Sequence, residues 1–271
     1  MPILTAEELS GMSPLFKGKR GLDFARRLVR LLSVEKVNDL YDRNSHLSGP
    51  DFAGAVLKDI GLEYTVSGPG LEVLPSAPFI TVSNHPYGSI DGLVLVDFFG
   101  HLVPSYKVMV NKFLSRIKAL DESFINVVPN GNSVSAPQVD SISGVKESLR
   151  HVRGGGAMGF FPAGAVSNLY PFRGKVEDRP WQESVVKLIR KMHVPVVPVH
   201  FLDRNSDFYY LLGLVDWRLR ITRLPSEVFN KKGRPCRVVV GKPLGVDVQD
   251  ECGSVDELSG MLRSAVYGLC E

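Results

Sequence analysis

The feature that most restricts the fold of this chain is an alternation. Short β-branched and aromatic runs stand at Tyr64-Thr65-Val66, Phe79-Ile80-Thr81-Val82, Tyr106–Val110, Phe124–Val128, Ala157–Phe161, Val194–Phe201 and Arg237–Val240. Between and after them, helical spacing is predicted over Asp91–Phe99, Asn111–Leu120, Val139–Val152, Pro180–Met192, Asp216–Arg223 and Val255–Leu269. Parallel strands can be joined only by a crossover, usually a helix, so this pattern predicts an α/β fold with a largely parallel, helix-covered sheet. Pro195 and Pro198 mark the 194–201 run as an end or an edge, because proline has no N–H to give a central ladder. Pro129-Asn130-Gly131-Asn132 reads as a turn. Gly154-Gly155-Gly156 lacks the Gly-Lys-Ser/Thr of a phosphate loop and precedes a strand where such a loop follows one.

The stretch with the most chemistry is Ser83-Asn84-His85-Pro86-Tyr87-Gly88-Ser89-Ile90-Asp91-Gly92. It leaves an apolar strand and enters a helix, the place where open α/β sheets bind ligands. A carboxylate six residues after a histidine can hold the ring in one tautomer and leave the other nitrogen to accept a proton from a hydroxyl. Two plainer readings stand beside this one: Asp91 as a helix cap, and His85 as an ordinary loop residue.

The termini carry different information. The first twenty residues or so read as an arm, and helical spacing starts at Leu22 and runs to about Tyr41. Leu22, Ala25, Leu28, Val29 and Leu32 fall on one face and Arg26, Arg27 and Arg30 on the opposite one. With Lys17, Lys19 and Arg20 this makes six basic residues against one acid, Asp23, which suits either an anionic membrane surface or a surface helix docked on the core. A second helix is expected from Gly49-Pro50 to Ile60, closed by Gly61. Residues 1–63 thus read as an N-terminal helical, membrane-docking segment and 64–271 as the α/β body. Near the other end, Arg218, Arg220, Arg223, Lys231, Lys232, Arg234 and Arg237 share one acid, Glu227. Either a solvated face or contact with an acidic partner or lipid headgroups would explain them.

A net charge of +3 does not call for nucleic acid, and no partner of that kind is expected. Three widely spaced cysteines give no disulfide framework and suit a reducing compartment. No apolar run is long enough to span a bilayer and the N-terminus is not a signal peptide, so any membrane contact is expected to be peripheral.

Asn84-His85…Asp91 and Phe161-Pro162-Ala163-Gly164-Ala165-Val166-Ser167 together resemble two signature blocks of the glycerolipid acyltransferases. Phe124–Pro129 and residues 194–201 are similar to two further blocks, in the same order. The resemblance implies that His85 is the general base and Asp91 its orienter. It also implies that Asn84, Gly88, Ser89, Phe161, Pro162, Ala163, Gly164 and Ser167 line the substrate site, and that backbone amides near Gly88 or the Gly164 turn serve the oxyanion. Lys112, Arg173 and Arg204 are candidates to meet an acceptor carboxylate, with surface ion pairing as the plainer reading. No metal or bound cofactor is implied. The acyl donor would be acyl-acyl carrier protein or acyl-CoA, the acyl carrier protein and membrane lipids the partners, and the inner face of the cytoplasmic membrane the location.

Departures from the pattern narrow the acceptor. The superfamily usually has four residues between His and Asp, and here there are five. Its third block usually reads Phe-Pro-Glu-Gly-Thr-Arg-Ser, whereas Ala163 and Val166 stand at the Glu and Arg positions. Losing that arginine removes a bidentate phosphate donor. His85-Pro86-Tyr87-Gly88-Ser89-Ile90-Asp91 with Phe161-Pro162-Ala163-Gly164, and the stretch Phe201–Tyr210, resemble instead a bacterial, hemolysin-like branch that includes O-acyltransferases of amino-acid lipids such as ornithine and glycine lipids. Lysophosphatidate acylation is the alternative. An inactive lipid-binding relative, suggested by Ala163, and a metal-dependent hydrolase using His85, Asp91 and His200 are the more distant ones.

Overall fold

A computed structural model describes residues 34–127 and 142–270. The basic amphipathic stretch 22–32 and the predicted turn 129–132 lie outside them. The first elements are helices α1 (Val34–Asn44) and α2 (Gly49–Asp59). Pro50 sits in the first turn of α2, where its missing N–H costs nothing, and Gly61 takes a left-handed φ of 69° just past its end.

The body follows as β1 (Tyr64–Ser67), β2 (Ile80–Ser83), α3 (Ser89–Leu102), β3 (Lys107–Asn111), β4 (Phe124–Val127), α4 (Ile142–Arg153) and β5 (Met158–Phe160). Then come a small hairpin of β6 (Asn168–Tyr170) and β7 (Lys175–Glu177), α5 (Glu183–Met192), β8 (Val196–Phe201), α6 (Asp207–Val215) and α7 (Trp217–Val228). The chain closes with β9 (Cys236–Val240), α8 (Val246–Asp250) and α9 (Val255–Tyr267).

Seven strands form one sheet in the order β1-β9-β8-β2-β5-β3-β4. Every pairing is parallel except β8 with β9, so the largely parallel expectation holds. The sheet is covered on both faces. One core gathers α2 and α3 side chains such as Phe52, Val56, Leu95 and Phe99 with Val108, Val197 and Phe201. The other gathers Ile80, Val82 and Phe160 with Val186 and Ile189 of α5 and Leu258 and Leu262 of α9. Strands β2 and β8 are buried along their whole length, which is why they read as continuous apolar runs rather than alternating ones.

Two expectations need correction. Residues 112–120 are not an α-helix but two 3₁₀ turns, Lys112–Arg116 and Lys118–Leu120. Strand β8 lies in the interior of the sheet, not at an edge, in spite of Pro198. Pro198 is tolerated because its N side faces the end of β9. Its carbonyl accepts from Gly241 N–H at 2.8 Å, just after the last residue of β9, so the missing donor falls where that ladder stops.

A polar stitch crosses the core of the sheet, Thr81 Oγ1 with Tyr106 Oη at 2.6 Å, and Gly159 of β5 leaves room for it. A Cβ at Gly159 would overlap Tyr106 Oη and lie 3.0 Å from Thr81 Oγ1. Gly159→Ala is therefore expected to destabilise the fold by about 1–3 kcal/mol through overpacking, more if the hydroxyl pair is broken. Chemical denaturation of the variant against the parent protein measures it.

Candidate active site

Because β5 and β8 both run parallel to β2 and flank it, the chain leaves all three strands at the same end of the sheet. The loops after Ser83, Phe160 and Phe201 therefore converge, at the carboxyl edge where a ligand is expected.

The first loop folds back on its own helix. Gly88 is the N-cap of α3, with φ 88° and ψ −113°, a backbone conformation that only glycine adopts readily. This turn brings Asp91, the third residue of the helix, back towards the loop. Its carboxylate accepts from Tyr87 N–H and Gly88 N–H, both at 2.9 Å, and its Oδ2 faces His85 Nδ1 at 2.8 Å. Asp91 thus caps the helix and holds the histidine at once, so two of the sequence readings are one structure. Burial raises the Asp91 carboxyl above the usual carboxylate range, while the His85 ring and the two amides act in the opposite sense. Asp91 is fully buried, whereas the His85 side chain keeps 17% exposure, enough to leave it open to a substrate.

The second loop supplies the wall. Phe161 lies on the His85 ring with centroids 4.1 Å apart. Pro162 and Ala163 are buried, and Ala163 turns its methyl into the core while its carbonyl accepts from Arg179 Nε at 3.1 Å. Gly164 takes φ 64°, and a Cβ there would collide with the Gln182 amide. Val166 and Leu224 each approach to 3.2 Å of where a Gly88 Cβ would stand, so the turn beside the His85–Asp91 pair has an apolar cover.

Several expected binding residues do structural work here. Asn84 is buried and uses both ends of its amide on Phe201, donating to its carbonyl at 2.9 Å and accepting from its N–H at 2.8 Å. It continues the β2–β8 ladder with a side chain. Ser167 N–H donates to the His85 carbonyl, and its hydroxyl donates to Asp178 Oδ1 at 2.6 Å. Of the amides in the two turns expected to serve the oxyanion, Gly88 N–H is engaged by Asp91 and Gly164 N–H by the Phe161 carbonyl. Ser89 is exposed at the start of α3. Arg173 is exposed on the β6–β7 turn beside the Tyr170 ring, and Arg204 pairs with Asp207 at 3.0 Å. The structure describes no side chain for Lys112. His200 Nδ1–H donates to the Val266 carbonyl at 2.9 Å, and burial lowers its pKa, which keeps it neutral. Among the described residues no group of three or more His, Cys, Asp or Glu side chains is arranged to hold a metal.

Sequence reasoning missed the residues that brace the loops from afar. Asp178, buried, accepts His85 N–H at 3.2 Å as well as the Ser167 hydroxyl, tying the two loops together. Arg220, read as part of an outward basic stretch, is also buried. It donates to the carbonyl of Ser167 at 2.9 Å, to Asn168 Oδ1 at 2.7 Å and to the carbonyl of Val166 at 3.3 Å. Lys231, buried too, donates to Asn205 Oδ1 and Glu227, while Asn205 donates to the Tyr87 carbonyl. Burial pushes the Glu227 carboxyl up, but the Ser206 amide and hydroxyl, Asn230 and Lys231 outweigh it and hold it below its ordinary value. Arg220 and Lys231 therefore do not belong to a solvated face, whereas Lys232, Arg234 and Arg237 of the same stretch are exposed. The only signal in the sequence was their number, and nothing there said which way each one faces.

A family model described as acyltransferase matches residues 13–271. The chain is 27% identical to a lyso-glycine lipid O-acyltransferase of Bacteroides thetaiotaomicron, over 89% of its own length and 88% of that protein's. It is 26% identical to another of that name from Phocaeicola vulgatus, over 89% and 86%. A solved structure of the 1-acyl-sn-glycerophosphate acyltransferase PlsC from Thermotoga maritima aligns over 98% of this chain and 96% of that one, at 16% identity and a TM-score of 0.47.

Asp178 gives a test of the brace. Asp178→Ala is expected to lower turnover about tenfold or more by freeing both loops, whereas Asp178→Asn, whose Oδ1 can still accept both bonds, retains most of it. Burial raises Asp178 above the usual carboxylate range, so the folded state holds this proton to higher pH than the unfolded chain does. Its contribution to stability is complete below the ordinary carboxylate range and is lost as pH rises through the raised value. Asp178→Asn removes that loss, and its unfolding free energy is expected to vary less with pH across that window.

Proposed function

The chain belongs to the acyltransferase family, within the glycerolipid acyltransferase superfamily, and is therefore an enzyme that moves acyl groups; we propose that it carries a fatty acyl group from a thioester to the hydroxyl of a phosphate-free lyso-lipid. An amino-acid lipid of the lyso-glycine or lyso-ornithine type is the proposed acceptor. The carrying observation is the apolar cover over the Gly88 turn. Val166 and Leu224 stand beside the His85–Asp91 pair, and the nearby Arg220 guanidinium already serves the backbone of the same loop. A phosphate drawn into that corner would lose water without gaining a donor, at a cost of several kcal/mol. The names of the two curated relatives support the same acceptor class.

In the proposed reaction the acceptor hydroxyl gives its proton to His85 Nε2 while its oxygen attacks the thioester carbonyl. The tetrahedral intermediate expels the thiolate, which takes the proton back from the imidazolium. Asp91 at Nδ1 keeps Nε2 free for the hydroxyl and stabilises the charged ring. No acyl-enzyme is formed. The donor is acyl-acyl carrier protein or acyl-CoA. Among the described residues no helix is long and apolar enough to cross a membrane, and the proposed location is peripheral, on the inner face of a bacterial cytoplasmic membrane.

Folded His85→Ala is expected to lose about 10²–10⁴-fold in turnover, and Asp91→Asn somewhat less. Near-normal rates in the first variant would end the assignment. The acceptor is tested by competition with one acyl thioester: kcat/KM is expected to be higher for lyso-glycine or lyso-ornithine lipid than for lysophosphatidate. Equal or better use of lysophosphatidate would move the enzyme to the glycerophosphate branch.

A further inference from the structure

Helices α6 and α7 form a hairpin whose two faces differ in kind. The inner face is fitted to the site. Tyr210 donates to the Pro86 carbonyl at 2.7 Å, Tyr209 is buried beneath the Arg220 guanidinium, and Leu224 covers the Gly88 turn. The outer face exposes Phe208, Leu211, Leu214 and Val215 of α6 and Trp217 and Ile221 of α7, with Val215 77% exposed. Spacings of three and four residues place 208, 211 and 215 on one side of α6. These are most of the exposed large hydrophobic side chains among the described residues, and all six lie within residues 208–221.

Cations stand at the rim of this face. Arg223 lies over the Phe208 ring at 5.4 Å, and Arg204 pairs with Asp207 at the start of α6. The β6–β7 turn adjoins α6 through β6 and adds a fully exposed Phe172 next to Arg173 and Lys175. The acids nearby are Asp207, paired with Arg204, Glu177, 3.7 Å from Arg263, the buried Glu227, 3.8 Å from Arg223, and Asp216 between the two helices.

We propose that the outer face of the α6–α7 hairpin is the surface by which this protein docks on an anionic lipid bilayer. Protruding aromatic and aliphatic side chains with arginines at their edge are the chemistry of an interfacial helix: the apolar part enters the acyl boundary while the cations remain among anionic headgroups. The position gives the surface its use. One helix thickness, about 10 Å, separates the outer face from the His85 loop that the inner face braces, so a bilayer on the outer face stands close to the mouth of the site. This inference rests on the lipid substrates of the proposed function, and it differs from a docking role for residues 22–32, which precede the described chain.

The test uses the full chain and its two tryptophans, Trp217 on the proposed surface and Trp181 buried in the core. Vesicles of phosphatidylglycerol and phosphatidylcholine carrying brominated acyl chains are expected to quench the Trp217 emission and shift it to the blue. The effect should persist in Trp181→Phe and vanish in Trp217→Phe. Leu211→Asp with Val215→Asp is expected to weaken partitioning roughly tenfold or more at unchanged melting temperature. It should also lower turnover of acceptor embedded in vesicles while sparing a short-chain, monomeric acceptor. Binding to vesicles without quenching of Trp217, or undiminished binding of the double variant, would overturn the proposal. If Trp217 is shielded from an aqueous quencher before lipid is added, the face is already covered and the proposal also falls. Shielding only at high protein concentration would assign it to a second copy, and shielding at all concentrations to another part of this chain. Quenching needs no turnover, so an error in the assigned acyl transfer would show separately.

Discussion

The site depends on parallel pairing of β2 with both of its neighbours. Parallel strands present the same end to the same edge, so the exits of β5, β2 and β8 emerge side by side although about 80 residues separate the first loop from the second, and the third lies about 40 further on. An antiparallel partner would have sent one of these loops to the opposite edge. Within the seven-stranded sheet the antiparallel junction lies beyond them, between β8 and β9, where it leaves the three exits untouched. Proline at 198 fits the same logic, since it faces that junction at the point where the ladder ends.

Three converging loops bring together many backbone donors and acceptors that water cannot reach, and each left without a partner would cost about 1–3 kcal/mol. Side chains from far along the chain meet that demand. Asn84 takes the place of a backbone pair beside Phe201, Asp178 accepts from the His85 amide, and Arg220 donates to two carbonyls of the Val166–Ser167 turn. The charges are themselves buried among bonds. Lys231 with Glu227 is a buried pair, and truncating one member of such a pair typically costs about 3–5 kcal/mol, since the other remains uncompensated. The result is a rigid frame around one partly open imidazole.

The reversal between His85 and Asp91 is made in the backbone. Gly88 turns with a positive φ, and a side chain there would press on Val166 and Leu224. The same turn directs two amides at Asp91, so the carboxylate that orients the ring is itself oriented by the start of the helix. Orientation of the base, capping of α3 and exclusion of polar groups above the turn are thus one local arrangement.

Periodicity by itself determined the α/β class, most strands, and the loop that holds His85 and Asp91, because strand and helix patterns are local and a loop after a buried strand has a fixed place in such sheets. The spacing in that loop also put histidine and carboxylate within reach, since both belong to one turn. Only the tertiary structure decided the rest. Residues 112–120 have the composition of a helix yet form 3₁₀ turns. The charges at 220 and 231 look exposed in sequence, but they are buried because their partners at 166–168 and 205 come from other loops. Nothing in the sequence shows that Asn84 and Ser167 complete hydrogen bonds across strands and loops. A side chain's direction depends on which distant backbone group lacks a partner, and that demand exists only after the chain has folded.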